Sequence, residues 1–299
     1  MFRSSGLKFF HRQARASGRI ALREPLCYSS SLMHVRRFFV PLFSLLVFAF
    51  ALIWPSLAAD PVAKKPLIVG MELSYPPFEM TDEKGNPSGI GVELAQALAK
   101  SLGREIQIRN YEFTGLIPAL KTKQIDLIIS SMTSTEERAK SIDFSDPYMN
   151  TGLAILVPAK SDIKSIADVD KPGRKVVVKK GTTGFTYATE KLKNVTPLII
   201  EAEAACALEV IQGKADAFIY DQMSVFQFAK RNPQTTRGLL EPFQRESWAI
   251  GIRKGNDELR QQVNAFLAEF KTSKGLEKLG EKYIEADREV FREMGYPFQ

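Results

Sequence analysis

A strand–helix alternation that occurs twice in one frame constrains this chain more than any other feature. Ile117 to Thr133 lies over Ala207 to Met223 with a constant offset (207 − 117 = 90). Each window holds a helical run, an aspartate (Asp126, Asp216) and an apolar strand. In that frame Ser131 falls over Asp221. Successive parallel strands need a crossover, and the helix supplies it, so the pattern predicts parallel sheets covered by helices. One run lies on each side of Met149. The expected class is α/β, with two doubly wound parallel-sheet lobes. Ligands of open parallel sheets bind beyond the strand C-termini, which would bring Ser131 and Asp221 to one cleft.

The elements follow from apolar period and breakers. Leu67–Met71 reads as a first strand. Glu72–Phe78 follows as a loop stiffened by Pro76 and Pro77. Asp82–Gly89 is a hairpin tip. Val92–Leu102 is a helix that Gly103 stops. Glu105–Tyr111 alternates as a strand, and Phe113-Thr114-Gly115 opens a helix at Leu116. Asp126–Ile129 is a short strand, and Met149–Pro158 is extended. After it come strands at Lys175–Val178, Leu198–Glu201, Asp216–Tyr220 and Ser247–Ile252. Helices are expected near Tyr187–Leu192, Glu203–Gln212, Gln222–Lys230, Leu259–Thr272 and Gly275–Ile284.

The strand at Asp126–Ile129 ends in hydroxyls: Ser130, Ser131 and Thr133. Ser134 and Glu137 have capping-box spacing, which puts Arg138 in the first turn of a helix. A cation there opposes the helix dipole. Two readings follow. Arg138, the hydroxyls and free amides hold a carboxylate guest, or Arg138 is a surface residue paired to Asp143 or Asp146.

Charge location decides one class of partner. The net charge is +7, from 41 Lys and Arg against 34 Asp and Glu. Residues 1–58 hold eight of the basic residues and one acid, leaving 33 of each sign beyond them (41 − 8, 34 − 1). Nucleic-acid binding thus loses its main support. The same segment has the parts of a secretory signal. Arg36-Arg37 precede an apolar Phe38–Ile53, and Ser56-Leu57-Ala58 offers small residues for cleavage after Ala58. Residues 33–58 are the expected signal within a 1–58 leader. An uncleaved anchor is the competing reading, opposed by Pro41 and by a length short of about 18–20 apolar residues. His11 and His34 both lie in the leader. Beyond it the chain has no histidine and one cysteine, Cys206, which excludes histidine-based triads, histidine-ligated metal and an internal disulfide. No metal or cofactor is expected.

Further candidates sit at strand C-termini. Asp221 suits an ammonium, or caps the helix after it. Tyr75 and Phe113 flank a guest side chain, or fill the core. Gly181-Thr182-Thr183 offers backbone amides and two hydroxyls in a tight turn, without the Gly-Lys-Ser/Thr ending of a P-loop. Glu72 is a cleft acid or a surface charge. An arginine with an aspartate complements a free amino-acid zwitterion.

Several longer motifs add to this reading: Tyr75-Pro76-Pro77-Phe78-Glu79, Phe113 through Leu120 (FTGLIPAL), and Thr135-Glu136-Glu137-Arg138 followed by Ile142-Asp143-Phe144-Ser145. Gly181-Thr182-Thr183 and Ala215-Asp216-Ala217 join them. On these the chain resembles the polar amino-acid solute-binding proteins that serve ATP-driven (ABC) importers, from Pro66 to about Lys282. It departs at Gly91, where that family usually has an acid, and glycine there is expected to serve as a helix N-cap. The resemblance implies a type II periplasmic-binding-protein-like fold. Lobe 1 comprises 59–150 and 248–299, and lobe 2, 151–247, is inserted. Crossings near Tyr148–Gly152 and Arg245–Ala249 form a hinge that closes on the ligand. It implies that Arg138 grips the α-carboxylate with Thr133 and the Thr182–Thr183 turn. Asp221 and the Ser130–Ser131 region hold the α-ammonium. Tyr75 and Phe113 flank the side chain, and Glu72 meets its polar end.

The expected function is therefore a monomeric, non-enzymatic periplasmic binding protein. It captures a polar or basic L-amino acid and delivers it to the membrane permease of an ABC importer. A secreted cyclohexadienyl-dehydratase-like enzyme on the same fold is the alternative, with Glu72 or Asp221 as general acid. A sensor domain is a third reading, and it would need a membrane segment or signalling domain after the binding region.

Overall fold

The computed structural model describes residues 64–294. The leader, with its signal, His11, His34 and the cleavage point, lies outside the described residues. Strands β1 (Leu67–Met71), β2 (Met80–Thr81), β3 (Pro87–Ser88), β4 (Ile106–Asn110), β5 (Leu127–Ile128), β6 (Asp143–Phe144), β7 (Met149–Pro158), β8 (Val176–Lys179), β9 (Leu198–Ile200), β10 (Ala217–Asp221), β11 (Thr236–Trp248) and β12 (Gly251–Ile252) are interleaved with helices. The helices are α1 (Ile90–Ser101), α2 (Leu116–Lys121), α3 (Glu136–Ala139), α4 (Ile166–Val169), α5 (Thr183–Glu190), α6 (Glu203–Ile211), α7 (Gln222–Arg231), α8 (Asp257–Thr272), α9 (Gly275–Tyr283) and α10 (Arg288–Glu293).

The strands form two five-stranded sheets, ordered β4-β1-β5-β12-β6 and β11-β7-β10-β8-β9, and a β2–β3 hairpin. Three strands of each sheet are parallel, β4-β1-β5 and β9-β8-β10. The remaining strands run antiparallel, so the sheets are mixed rather than wholly parallel. Side-chain alternation covers both faces of each. In the first sheet Leu67, Val69 and Leu127 face a core with α1 and α8, while Ile68 and Ile128 face α2. In the second, Val177 and Phe218 face α6 and α7, while Val176, Val178 and Ile219 face α5.

The frame of 90 seen in the sequence is structural. Leu127 and Ile128 pair with Val69 and Gly70, as Ala217 and Phe218 pair with Val176 and Val177. Asp126 accepts the Ile68 amide at 3.1 Å, and Asp216 accepts the Lys175 amide at 2.8 Å. Each aspartate thus ties the start of its central strand to the neighbouring one.

The sheets are joined by an antiparallel ribbon. Met149 to Leu153 pairs with Trp248 back to Gln244, and the register slips before Leu239. Met149 and Trp248 are both buried at the base of this ribbon. A further link comes from the end of the chain, which the sequence reading assigned wholly to the first lobe. Tyr283 and Lys282 bond Glu93 of α1 beside the first sheet. A few residues on, Asp287 pairs with Lys230 of α7, and the Phe291 ring lies 5.2 Å from Phe226 of α7, beside the second sheet.

Several boundaries differ from expectation. α5 begins at Thr183 because Thr182 caps it, accepting from the Phe185 amide at 3.2 Å. α3 is capped by Thr135, not Ser134: the Thr135 hydroxyl accepts from the Arg138 amide at 3.2 Å, while Ser134 donates to the Ser247 carbonyl. The N-cap of α1 is Gly89, so Gly91 lies inside the helix. No helix among the described residues is long and apolar enough to cross a membrane.

Candidate functional site

Strand C-termini of both sheets converge at the cleft. Glu72 follows β1, Phe113 follows β4 by a short turn, and Ser130 and Ser131 follow β5. From the other side Thr182 and Thr183 follow β8, and Asp221 ends β10. Glu72, Tyr75, Phe113, Ser130, Ser131, Thr133, Arg138, Thr182, Thr183 and Asp221 all line one cavity of about 40 Å³, together with Leu153, Tyr220 and Trp248. That volume holds only a few water molecules.

Arg138 spans the cleft. Its Nη1 donates to the Thr133 carbonyl at 2.6 Å and its Nη2 to the Gly181 carbonyl at 3.0 Å. Its guanidinium lies 5.4 Å from the centroid of the Phe113 ring. Neither aspartate of the surface reading is among these contacts: Asp143 pairs with Lys254, and the Asp146 amide donates to Asn264. Desolvation lowers the Arg138 pKa to about 10, against the raising fields of Glu246 and Tyr220. A guanidinium has five N–H donors, so three remain after the two carbonyls. Gly181 is held at φ 75°, and a Cβ there would lie 2.7 Å from Thr114 Cγ2, so the two sides of the cleft touch at a residue without a side chain.

Asp221 is both cap and cleft acid. Its Oδ1 accepts the amides of Met223 and Ser224 at 2.9 and 3.1 Å, and Tyr75 across the cleft opposes the rise in its pKa. Burial raises its pKa to about 6. Tyr75 does not simply face a guest. It stacks on Phe78 at 5.7 Å and meets Trp248 and Tyr220 edge-on at 5.9 and 6.3 Å.

The hydroxyls expected to serve a ligand also have protein partners. Ser130 accepts the Glu72 amide at 2.9 Å. Thr182 donates to the Lys179 carbonyl at 2.7 Å. Thr133 and Thr183 each donate to Glu246 Oε2 at 2.9 Å. Ser131 donates to Glu79 at 2.9 Å. Burial holds Glu79 well above the usual carboxylate range, with Ser131 opposing and Glu72 and Asp221 adding to the shift. A Cβ on Gly91 would lie 2.0 Å from Glu79 Oε1. The Glu79 carboxyl thus fills the space beside Gly91 where the family pattern led us to expect an acidic side chain.

Sequence reasoning missed three groups. Glu246 on β11 takes both threonine hydroxyls. Lys179, the last residue of β8, is 2% exposed and places Nζ 2.5 Å from Glu72 Oε2. Glu203 is buried, and burial, with Asp221 nearby, raises its pKa to about 8. The available signal for Lys179 was a lysine directly after Val176-Val177-Val178, at the C-terminal end of a strand too apolar to be exposed. Cys206 is buried and reduced, as its apolar helix implied, and burial raises its thiol to about 12. No group of three or more His, Cys, Asp or Glu among the described residues is placed to hold a metal ion.

With fold and cleft in hand, comparison with known proteins identifies the class. The sequence profile of the bacterial extracellular solute-binding proteins, family 3, matches residues 67–286, and the chain belongs to that family. The L-cystine-binding protein TcyJ of Escherichia coli is 32% identical over 221 residues, covering 74% of this chain and 83% of that protein. The L-arginine-binding protein of Pseudomonas aeruginosa is 31% identical over 250 residues, covering 78% and 92%. Among solved structures, the ancestral amino acid-binding protein AncCDT-1, a precursor of cyclohexadienyl dehydratase, superposes with a TM-score of 0.68 at 38% identity, covering 73% of this chain and 94% of that one.

Proposed function

We propose that this chain captures a free α-amino acid between its two sheets and hands it to the permease of an ABC importer. The observation that supports this most is the placement of Arg138, on the helix α3 that follows β5, and Asp221, at the end of β10, opposite in charge, in one cavity. The guanidinium's remaining N–H donors take the α-carboxylate, and Asp221 takes the α-ammonium. In this reading Phe113 and Tyr75 flank the side chain, and Glu72 lies at its far end. The ligand carboxylate competes with Glu246 for the hydroxyls of Thr133 and Thr183. A cavity of about 40 Å³ requires the two sides to part for entry, so the β7–β11 ribbon acts as the hinge between lobes. Residues 33–58 direct export to the periplasm and are cut after Ala58.

Trp248 reports the event. It lies against Tyr75 and Phe78, 2% exposed, and lines the cavity. Its emission is expected to shift in intensity or wavelength on titration with the correct amino acid, in protein lacking the leader and so lacking Trp54. A screen of the twenty amino acids by this signal, with calorimetry alongside, checks the reading. Silence of both methods toward all twenty overturns it. AncCDT-1 is a precursor of cyclohexadienyl dehydratase, and Asp221, which lines the cavity with its pKa raised to about 6, can act as a general acid; these keep an enzyme as the second reading. Product formation from prephenate or arogenate would favour it.

Acidity separates binding from folding. The ammonium needs Asp221 as a carboxylate, and in the free protein that group is protonated below about pH 6. Affinity is expected to be about tenfold weaker at pH 5 than at pH 7.5. Stability of the ligand-free protein runs the other way. Asp221 and Glu203 bind protons more tightly folded than unfolded, so acidification through about pH 8 and then 6 stabilises the fold, and rising pH removes that gain. Tm should rise by a few degrees from pH 8.5 to pH 5.5 while affinity falls. A parallel change in both would refute the assignment.

A further inference from the structure

Behind Glu72, which lines the cavity where a ligand side chain would lie, stands a cation of the protein's own. Lys179 closes β8 after three buried valines, so its stem is packed and only its tip can choose a partner. Its Nζ sits 2.5 Å from Glu72 Oε2 and 5.9 Å from the centroid of the Phe113 ring. The two side chains are 2% and 9% exposed. Parting them leaves one buried charge without a counter-ion, which holds such a pair together even where forming it contributes little.

A second acid could in principle relieve Glu72. Glu203 lies near enough for its charge to act on Lys179, and its Oε2 has no hydrogen-bond partner among the described residues. Its Oε1 accepts from Ser224 at 2.7 Å. With a pKa of about 8 it is mostly protonated at neutral pH and offers the lysine no competing anion. Glu72 is therefore committed, and the expectation that it would greet an ammonium or guanidinium of the ligand meets a seat already taken.

We infer that Lys179 selects the charge of the ligand: paired with Glu72, it admits an uncharged side chain that bears both an acceptor and a donor, such as a carboxamide or hydroxyl, and excludes a cationic one. This rests on the amino-acid reading above. An oxygen of the side chain accepts from the Lys179 ammonium while its N–H or O–H donates to Glu72, so both charges stay satisfied. A lysine- or arginine-like side chain would bring a second cation against Lys179 in a desolvated space, where like charges are strongly opposed. A carboxylate side chain would meet Glu72 with the same result. The similarity to an arginine-binding relative therefore does not carry over to the ligand's charge, because discrimination is set by the repulsive element as much as by the attractive one.

The test is calorimetry of the exported form with glutamine, asparagine, serine, threonine, arginine, lysine and glutamate, repeated on Lys179→Met. In the wild type the best uncharged ligand is expected to bind about a hundredfold or more tighter than arginine or lysine. In Lys179→Met, Glu72 is released, arginine affinity rises at least about tenfold and the preference narrows or inverts. Circular dichroism confirms folding. Should Lys179→Met not fold, the Glu72→Gln, Lys179→Met double variant removes both charges and is expected to lose the discrimination. Arginine or lysine binding the wild type as tightly as any uncharged amino acid overturns this inference while leaving the amino-acid reading intact. An unchanged ratio in a folded variant does the same. Silence of wild type and variants toward all twenty amino acids overturns both.

Discussion

Arg138→Met is expected to weaken amino-acid binding by about a hundredfold to several thousandfold, or about 3–5 kcal/mol. Methionine keeps bulk against the Phe113 ring but donates nothing. Three losses coincide. The ligand carboxylate loses its charge-assisted donors. The Thr133 and Gly181 carbonyls, 2.6 and 3.0 Å from the guanidinium, lose theirs. Glu246 loses the cation whose field it shares. Because Thr133 and Gly181 stand on opposite sides of the cleft, the closed arrangement is weakened as well as the ligand contact. Arg138→Lys keeps the charge without the planar fork and should fall between the two. Calorimetry that finds Arg138→Met unchanged would remove Arg138 from the binding machinery.

Gly89→Ala should produce the largest loss of stability, about 3 kcal/mol or more, seen as a fall in Tm of about 10 °C. The residue sits at φ 121° at the start of α1, and an added Cβ would stand 2.3 Å from the Phe78 carbonyl oxygen and 2.8 Å from that of Pro77. Those oxygens accept the amides of Gly91 and Ile90 at 2.9 and 3.1 Å, so neither can retreat without uncapping the helix. The same loop carries Tyr75 into the cleft. Affinity should therefore fall with stability, and a Tm within about 2 °C of wild type would show that this junction is softer than its geometry implies.

The legible and illegible parts of the chain divide by distance along it. Leu127 and Ala217 could be matched because each central strand lies beside its own helix and aspartate, all within a short window. Arg138 could be singled out because its helix start and the hydroxyls before it are local. Lys179 and Glu72 are 107 residues apart, and Thr133 and Glu246 are 113 apart. No local pattern announces such partners, so the hydroxyls looked available for a ligand when Glu246 already held two of them. β11 escaped for another reason. Gly238 and Pro242 interrupt its alternation, most of its residues are half-buried, and its pairing slips between Leu239 and Gln244. The end of the chain read as amphipathic helix, which says that a face is covered but not which body covers it.

That last segment has a consequence for the entropy of closure. Two neighbouring strands alone leave both bending and twisting of one half against the other soft. The run from Tyr283, bonded to Glu93, to Phe291, packed on Phe226, adds a tie away from the paired backbone. A body tied at a second place has fewer ways to be open. In the hinge closure proposed above, the open ensemble is then narrower, and less disorder would be given up on closing, which favours affinity without a single added contact to the ligand.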